Sequence, residues 1–197
     1  MNKGILKDCL ILFAITLVAG LLLGAVYEVT KGPIAVQEEK TKVESQQAVF
    51  ADAEKFNQMD VDESIAKEVE SNGVTVDEVY EALDGSDAHL GYIVQATSPN
   101  SYGGDVTLMV GITADGTCNG YSLLTINDTA GLGMNAKKDD FKNQYAGKQV
   151  DSFEVTKTGA TADNQIDAIS GATITSKAVT ESVNACLAYA KALEGGN

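Results

Sequence analysis

The chain has 197 residues, with 14 lysines, no arginine and 28 acidic residues, for a formal charge of −14 and a sequence pI near 4.3. With no guanidinium for bidentate phosphate contacts and a charge of this sign, binding to nucleic acid is excluded, and an anionic membrane surface is no docking partner for the bulk of the chain. A hydrophobic share of 44% fits a folded globular protein, and the length suits one domain plus an extra segment.

The extra segment comes first. No charged residue stands between Asp8 and Glu28, and Cys9 to Tyr27 reads CLILFAITLVAGLLLGAVY. As a helix rising about 1.5 Å per residue, this run extends roughly 28 Å, close to the hydrocarbon thickness of a bilayer. A cleaved secretory signal has a shorter apolar core and a small-x-small cleavage site. Here the run is long and ends in Val26-Tyr27-Glu28-Val29, so a retained transmembrane helix is expected over 9–27. Cys9 precedes the apolar stretch, whereas a lipoprotein cysteine follows it. Lys3 and Lys7 on one side nearly balance Lys31, Lys40 and Lys42 on the other. The short stub 1–8 then sets the expectation: a cytoplasmic amino terminus, a single pass through the cytoplasmic or inner membrane, and an extracytoplasmic domain.

Ile34 to about Phe56 is rich in Glu, Lys, Gln and Ala, with Val36, Val43, Phe50 and Ala53 near helical register. It reads as a polar helical stalk, with Pro33 at its first turn. Glu63 to Val69 is a second helical patch, broken by Ser71-Asn72-Gly73. The densely acidic stretch from Asp52 to Asp87 lacks calcium-loop spacing and reads as solvated surface, so 28–87 is expected to be a stalk and an acidic helical region.

From His89 the period changes. Leu90 to Ala96 and Val106 to Thr113 read as strands about a loop from Ser98 to Gly104, and Ala114-Asp115-Gly116-Thr117 is a hairpin turn leading into a strand from Cys118 to Ile126. Short turns between neighbours imply an antiparallel sheet. A short helix follows over Lys137 to Tyr145, then a strand over Val150 to Val155. A final helix spans Lys177 to Leu193, where Val179, Val183, Cys186, Ala190 and Leu193 make one apolar face. The fold class is α+β: one N-terminal transmembrane helix, then a domain over 88–197 with an antiparallel sheet and packed helices.

Few constellations carry chemistry. Cys118 and Cys186, the two cysteines beyond the apolar segment, have no CxxC or Cys/His ligand spacing, so no metal site is expected. They read as two buried thiols, with a disulfide as the alternative. His89 is the single histidine and has no accompanying acid or nucleophile motif for a hydrolase. Gly131-Leu132-Gly133-Met134-Asn135-Ala136 matches G-x-G-x-x-A literally. However, its strand arrives by a hairpin and Asn127 to Ala130 intervene, so the dinucleotide reading is rejected. Its glycines leave a bare backbone against which a flat ligand can lie, and Tyr102-Gly103-Gly104 has the same character. Asp167-Ala168-Ile169-Ser170-Gly171-Ala172-Thr173-Ile174-Thr175-Ser176 brings three hydroxyls to a helix start, where unpaired N–H groups favour an anion. Plain N-capping by Thr175 or Ser176 is the simpler use of the same residues.

Asp167-x-x-Ser170-Gly171-Ala172-Thr173 resembles the D-x-x-[ST]-G-A-T signature of proteins to which a flavin transferase attaches FMN through its phosphate. The order Tyr102-Gly103-Gly104, a strand, Asp115-Gly116 and Thr129-Ala130-Gly131-Leu132-Gly133 is similar to the FMN-binding domain of that family, with Ala130 replacing a usual proline and Asp128 a common glutamate. The match covers roughly 88 to 193, and with the single span it looks most like the G subunits of Rnf complexes. The resemblance implies an electron carrier in a redox-driven Na⁺ or H⁺ pump, without catalysis of its own. Its FMN would sit on Thr173, with Thr175 in reserve. Ser170, Gly171 and Ala172 would shape the turn, and Tyr102, Gly103, Gly104, Thr129, Gly131, Leu132 and Gly133 would line the isoalloxazine. Implied partners are the other membrane subunits and the flavin transferase. The alternatives are a C-type subunit of the Na⁺-translocating NADH:quinone oxidoreductase, a standalone flavinylated carrier, or a cofactor-free anchored interaction domain.

Overall fold

The computed structural model describes residues 3–195. It divides into two units, 1–42 and 43–197. The first holds most of helix α1 (Lys3–Val49), which is long and apolar enough to cross a membrane. The helix does not stop for a new stalk. Pro33 lies inside it and forgoes one backbone hydrogen bond without ending the run. The separate stalk helix expected from Ile34, with Pro33 at its first turn, is therefore corrected to one continuous helix, which ends at Val49 instead of continuing to Phe56.

The second unit is built on a five-stranded antiparallel sheet in the order β1 (Lys55–Met59), β2 (Thr75–Leu83), β3 (His89–Ser101), β4 (Gly104–Thr113) and β5 (Cys118–Thr125). Its first two strands come from the acidic stretch expected to be helical. In β2, Val76, Val79 and Tyr80 carry β-forming side chains among the acids, and Val79 and Tyr80 are buried on opposite faces. Between these strands α2 (Glu63–Val69) forms where expected, N-capped by Asp62, whose carboxylate accepts from the Ser64 and Ile65 N–H groups. The expected loop from Ser98 to Gly104 is mostly strand. Ser101 pairs with Gly104, leaving Tyr102-Gly103 as a two-residue turn.

One sheet face packs on α4 (Thr173–Gly195). Val94, Leu108 and Val110 meet Val179, Val183 and Cys186, and an edge-to-face set of Tyr121, Phe141, Tyr145 and Phe153 closes the core. The other face takes Val49, Phe50 and Ala53 against Tyr80, Ile93 and Met109. The chain passes so close here that any side chain at Gly111 would overlap the Val49 carbonyl.

After β5 come a 3-10 turn (Gly133–Lys137) and α3 (Asp139–Lys142), both shorter than the expected helix over 137–145. The strand predicted over Val150 to Val155 shrinks to β6 (Glu154–Thr156), parallel to β7 (Gln165–Asp167). Ahead of β6, the Asn184 side chain stands in for a strand partner, since its Oδ1 accepts from the Phe153 N–H and its Nδ2 donates to the Phe153 carbonyl. Cys118 and Cys186 are both buried free thiols, and burial pushes Cys118 up to about 11 and Cys186 upward too. His89 opens β3 between two carboxylates, with Nδ1 3.0 Å from Glu81 and Nε2 2.8 Å from Glu194, and no nucleophile is among these contacts.

Candidate functional site

Beyond Val43, three large hydrophobic side chains stand exposed among the described residues: Tyr102 at 74%, Leu132 at 42% and Ile174 at 56%. They come from three separate parts of the chain, and all three line one cavity of about 630 Å³. This is the size range of small-molecule sites, with an apolar wall and few polar groups.

Three segments build the wall. The β3–β4 turn projects Tyr102, and its neighbour Gly103 has no room for a side chain, because a Cβ there would overlap the Asn127 carbonyl. The loop after β5 is held by its own backbone. The Thr129 carbonyl accepts from the Leu132 and Met134 N–H groups at 3.1 and 3.2 Å, and Asn135 Nδ2 donates to the Gly131 carbonyl at 2.8 Å. Gly131 sits at φ +77°, a conformation that favours glycine. The third segment runs from β7 into α4. Asp167 anchors it, accepting from the Ala160 N–H at 2.7 Å while its own N–H donates to Gln144 Oε1 at 2.6 Å. The chain then turns at Gly171, φ +74°, which lies against Leu132.

The helix α4 starts at Thr173, four residues before the expected Lys177, and the residue ahead of it is Ala172, which has no side-chain cap to offer. Among the described residues, nothing accepts from the backbone N–H groups of Thr173, Ile174 and Thr175. These three donors and the helix dipole open toward the cavity wall that the same residues form.

The hydroxyls of this turn have different fates. Thr175 is 1% exposed and donates to Asp128 Oδ2 at 2.6 Å. Ser176 is buried, accepting from the Ile169 N–H and donating to the Ala172 carbonyl. Neither caps the helix as expected; both tie it to the preceding loop or to Asp128. Thr173 is half-buried, lines the cavity, and makes no side-chain hydrogen bond among the described residues.

Of the predicted site residues, the structure brings Tyr102, Thr129, Leu132 and Gly133 to the cavity wall with Gly171, Ala172, Thr173 and Thr175. Gly103, Gly131 and Ser170 lie outside the wall, in the turns that support it, and Gly104 lies outside it at the start of β4. Sequence reasoning left Ile174, Ser101 and above all Asp128 out of the site, although it noted Asp128 in place of a common glutamate. Asp128 Oδ2 accepts from both Ser101 Oγ at 2.5 Å and Thr175 Oγ1. A side chain at Gly133 would overlap this carboxylate. Ile174 was open to detection, as an isoleucine on the first helical turn with no core position to fill. The partners of Asp128 stand 27 and 47 residues away in sequence, and no local pattern marks them.

Residues 101–188 match the FMN-binding domain family and residues 1–49 the RnfG N-terminal region. The G subunit of the proton-translocating ferredoxin:NAD(+) oxidoreductase complex of Clostridium ljungdahlii is 34% identical over 96% of this chain and 97% of its own. Its counterpart in the Na(+)-translocating complex of Acetobacterium woodii is 36% identical over 92% and 89%. The crystal structure of Shewanella oneidensis NqrC shares the fold, with a TM-score of 0.51 at 16% identity over 75% of this chain and 74% of that one. The chain belongs to the family of G subunits of ion-translocating ferredoxin:NAD(+) oxidoreductase complexes.

Proposed function

With that membership as premise, we propose that the chain is the membrane-anchored electron-carrier subunit of such a complex and holds FMN covalently, as a phosphoester of Thr173. One observation carries the attachment site: of the hydroxyls on the first turn of α4, those of Thr175 and Ser176 are buried and engaged, and only that of Thr173 is free at the cavity. The same observation disfavours Thr175 as a reserve site, because its hydroxyl would have to leave Asp128. The full-length relatives are G subunits, which favours this assignment over a C-type subunit.

The residues fit the group. The uncapped N–H groups of Thr173, Ile174 and Thr175 suit a phosphodiester anion, and the helix dipole adds to them. Tyr102, Leu132 and Ile174 offer an apolar seat to a flat ring system, and Gly133 and Gly171 keep the backbone clear beside it. FMN, when bound, supplies the redox chemistry. The protein holds the position, excludes water from one side, and sets the charge around the cofactor.

The proposal places the domain outside the cytoplasmic face, anchored by α1, where a covalent link keeps the cofactor from diffusing away. Its partners would be the other membrane subunits, and a flavin transferase would load it. Coexpression with that transferase tests the reading. A fluorescent band under ultraviolet light after a denaturing gel, with FMN minus water on the peptide containing Thr173, is expected. Thr173→Ala should give a dark, folded protein. A fluorescent Thr173→Ala band would sink the attachment site.

A further inference from the structure

Asp128 is the one charged side chain among the residues lining the cavity, and among the described residues no lysine or histidine pairs with it. Its environment is specific. Oδ2 accepts two hydroxyl hydrogen bonds, from Ser101 at 2.5 Å and Thr175 at 2.6 Å. Oδ1 is buried with no hydrogen-bond partner among the described residues. Two glycines surround the group: a Cβ on Gly133 would overlap the carboxylate, and a Cβ on Gly103 would come within 2.9 Å of Oδ1. The backbone is thus built around an acid that a neutral side chain of the same shape would serve better if packing were its whole task. A buried carboxylate oxygen left without a donor is costly, and native structures keep such groups where they have work to do.

We propose, on the flavin reading above, that Asp128 is the fixed negative charge that holds the reduction potential of the bound flavin low. Hydroxyl donors orient the carboxylate without cancelling its charge, and no cation among the described residues pairs with it to do so. Inside a half-enclosed cavity the effective dielectric is below that of water, so an electron added beside this charge meets Coulomb repulsion and the oxidised form is favoured. Charge near the isoalloxazine is one of the means by which a protein tunes flavin electronics. Through Ser101 and Thr175 the same residue also joins the β3–β4 turn to the first turn of α4, which makes it a positioning residue and not a catalytic one.

The test uses the full chain, flavinylated by coexpression and titrated potentiometrically while absorbance is followed. Asp128→Asn keeps the shape and removes the charge. It should raise the midpoint potential by at least a tenfold change in the reduction equilibrium, about 30 mV for a two-electron couple. Asp128→Glu should restore the wild-type value. Ser101→Ala with Thr175→Val strips the hydrogen bonds and keeps the charge, so no rise should follow. A flavinylated Asp128→Asn protein with an unchanged potential overturns the proposal, as does an equal rise in the Ser101→Ala, Thr175→Val protein, which would mark a purely structural tie. Should Asp128→Asn fail to load, Asp128→Gln removes the charge from a longer side chain, with Asp128→Glu as its charged counterpart of the same size. The same rise is expected from Asp128→Glu to Asp128→Gln, and its absence is equally fatal. A dark wild-type band overturns the flavin reading itself, and this inference with it.

Discussion

Two regions of this molecule leave large apolar side chains in the open, and they do so in different ways. Along α1, Leu10, Leu12, Phe13, Ile15, Leu17 and Leu21 to Leu23 are exposed, on every side of the helix and with no polar face. Around the cavity the exposed large apolar side chains among the described residues are Tyr102, Leu132 and Ile174, which line one concavity with a single carboxylate among them. An apolar cylinder with no charge for 19 residues is matched by lipid as solvent, while three apolar groups around a hollow with one fixed charge and three free N–H donors are matched by a flat, anionic ligand. Composition at the two places is alike; shape and the placed polar groups separate them.

The largest effect should come from charging the cylinder. Leu17→Arg with Leu21→Arg costs about 2.5–3.5 kcal/mol for each residue near the centre of a span. The doubly substituted chain should therefore be lost from carbonate-washed membranes, and full retention would break the lipid reading of α1.

The closed core offers a third kind of apolar surface as control. An unfolded Cys118 thiol ionises near its ordinary value of 9.0, whereas burial keeps the folded one neutral to about 11. The folded state thus holds the extra proton across this window. The associated stability is complete below pH 9 and is lost as pH rises toward 11, by up to about 2 to 3 kcal/mol. Chemical unfolding in detergent at pH 8 and pH 10.5 should show the fall, and Cys118→Ala should reduce it, the buried Cys186 thiol keeping a part of the same sign. An identical slope in the variant would mean that Cys118 is open to solvent.

Thr175→Val probes the tie between helix and carboxylate. It should lower stability by about 1 to 2 kcal/mol while leaving flavin on Thr173, since a buried acceptor loses one of two donors. Wild-type stability in this variant would show that the bond to Asp128 carries nothing. The smallest effect on folding is expected at the cavity rim. Leu132→Ala and Ile174→Ala should each stay within about 0.5 kcal/mol of wild type, because both side chains face outward. The same substitutions should increase quenching of flavin fluorescence by iodide, and unchanged quenching would separate these residues from the ligand.

Legibility varied with how local the physics was. The span, the Asp115-Gly116 hairpin, α2 and the apolar face of α4 were open to reading, because each depends on a run, a turn residue or a period within a few positions. β1 and β2 were not. Their charges belong to strands whose inward residues are few, and only the pairing of β1 with β2 and of β2 with β3 accounts for them. Pro33 suits a first turn by local preference, and the helix instead carries on through it.

At the site, the motif from Asp167 to Thr173 was visible as spacing and the family resemblance put Thr173 first, but nearest-neighbour chemistry by itself does not rank three neighbouring hydroxyls. Folding does, by burying Thr175 and Ser176 against partners and leaving Thr173 at the cavity. What the chain's order of residues determined by itself was an apolar span, an antiparallel sheet from His89 onward and a small-residue turn at a helix start, since all three follow from nearest-neighbour chemistry. What only the tertiary structure decided was which hydroxyl is free, which apolar residues meet around one hollow, and that Asp128 stands among them, because those facts depend on contacts between segments distant in sequence.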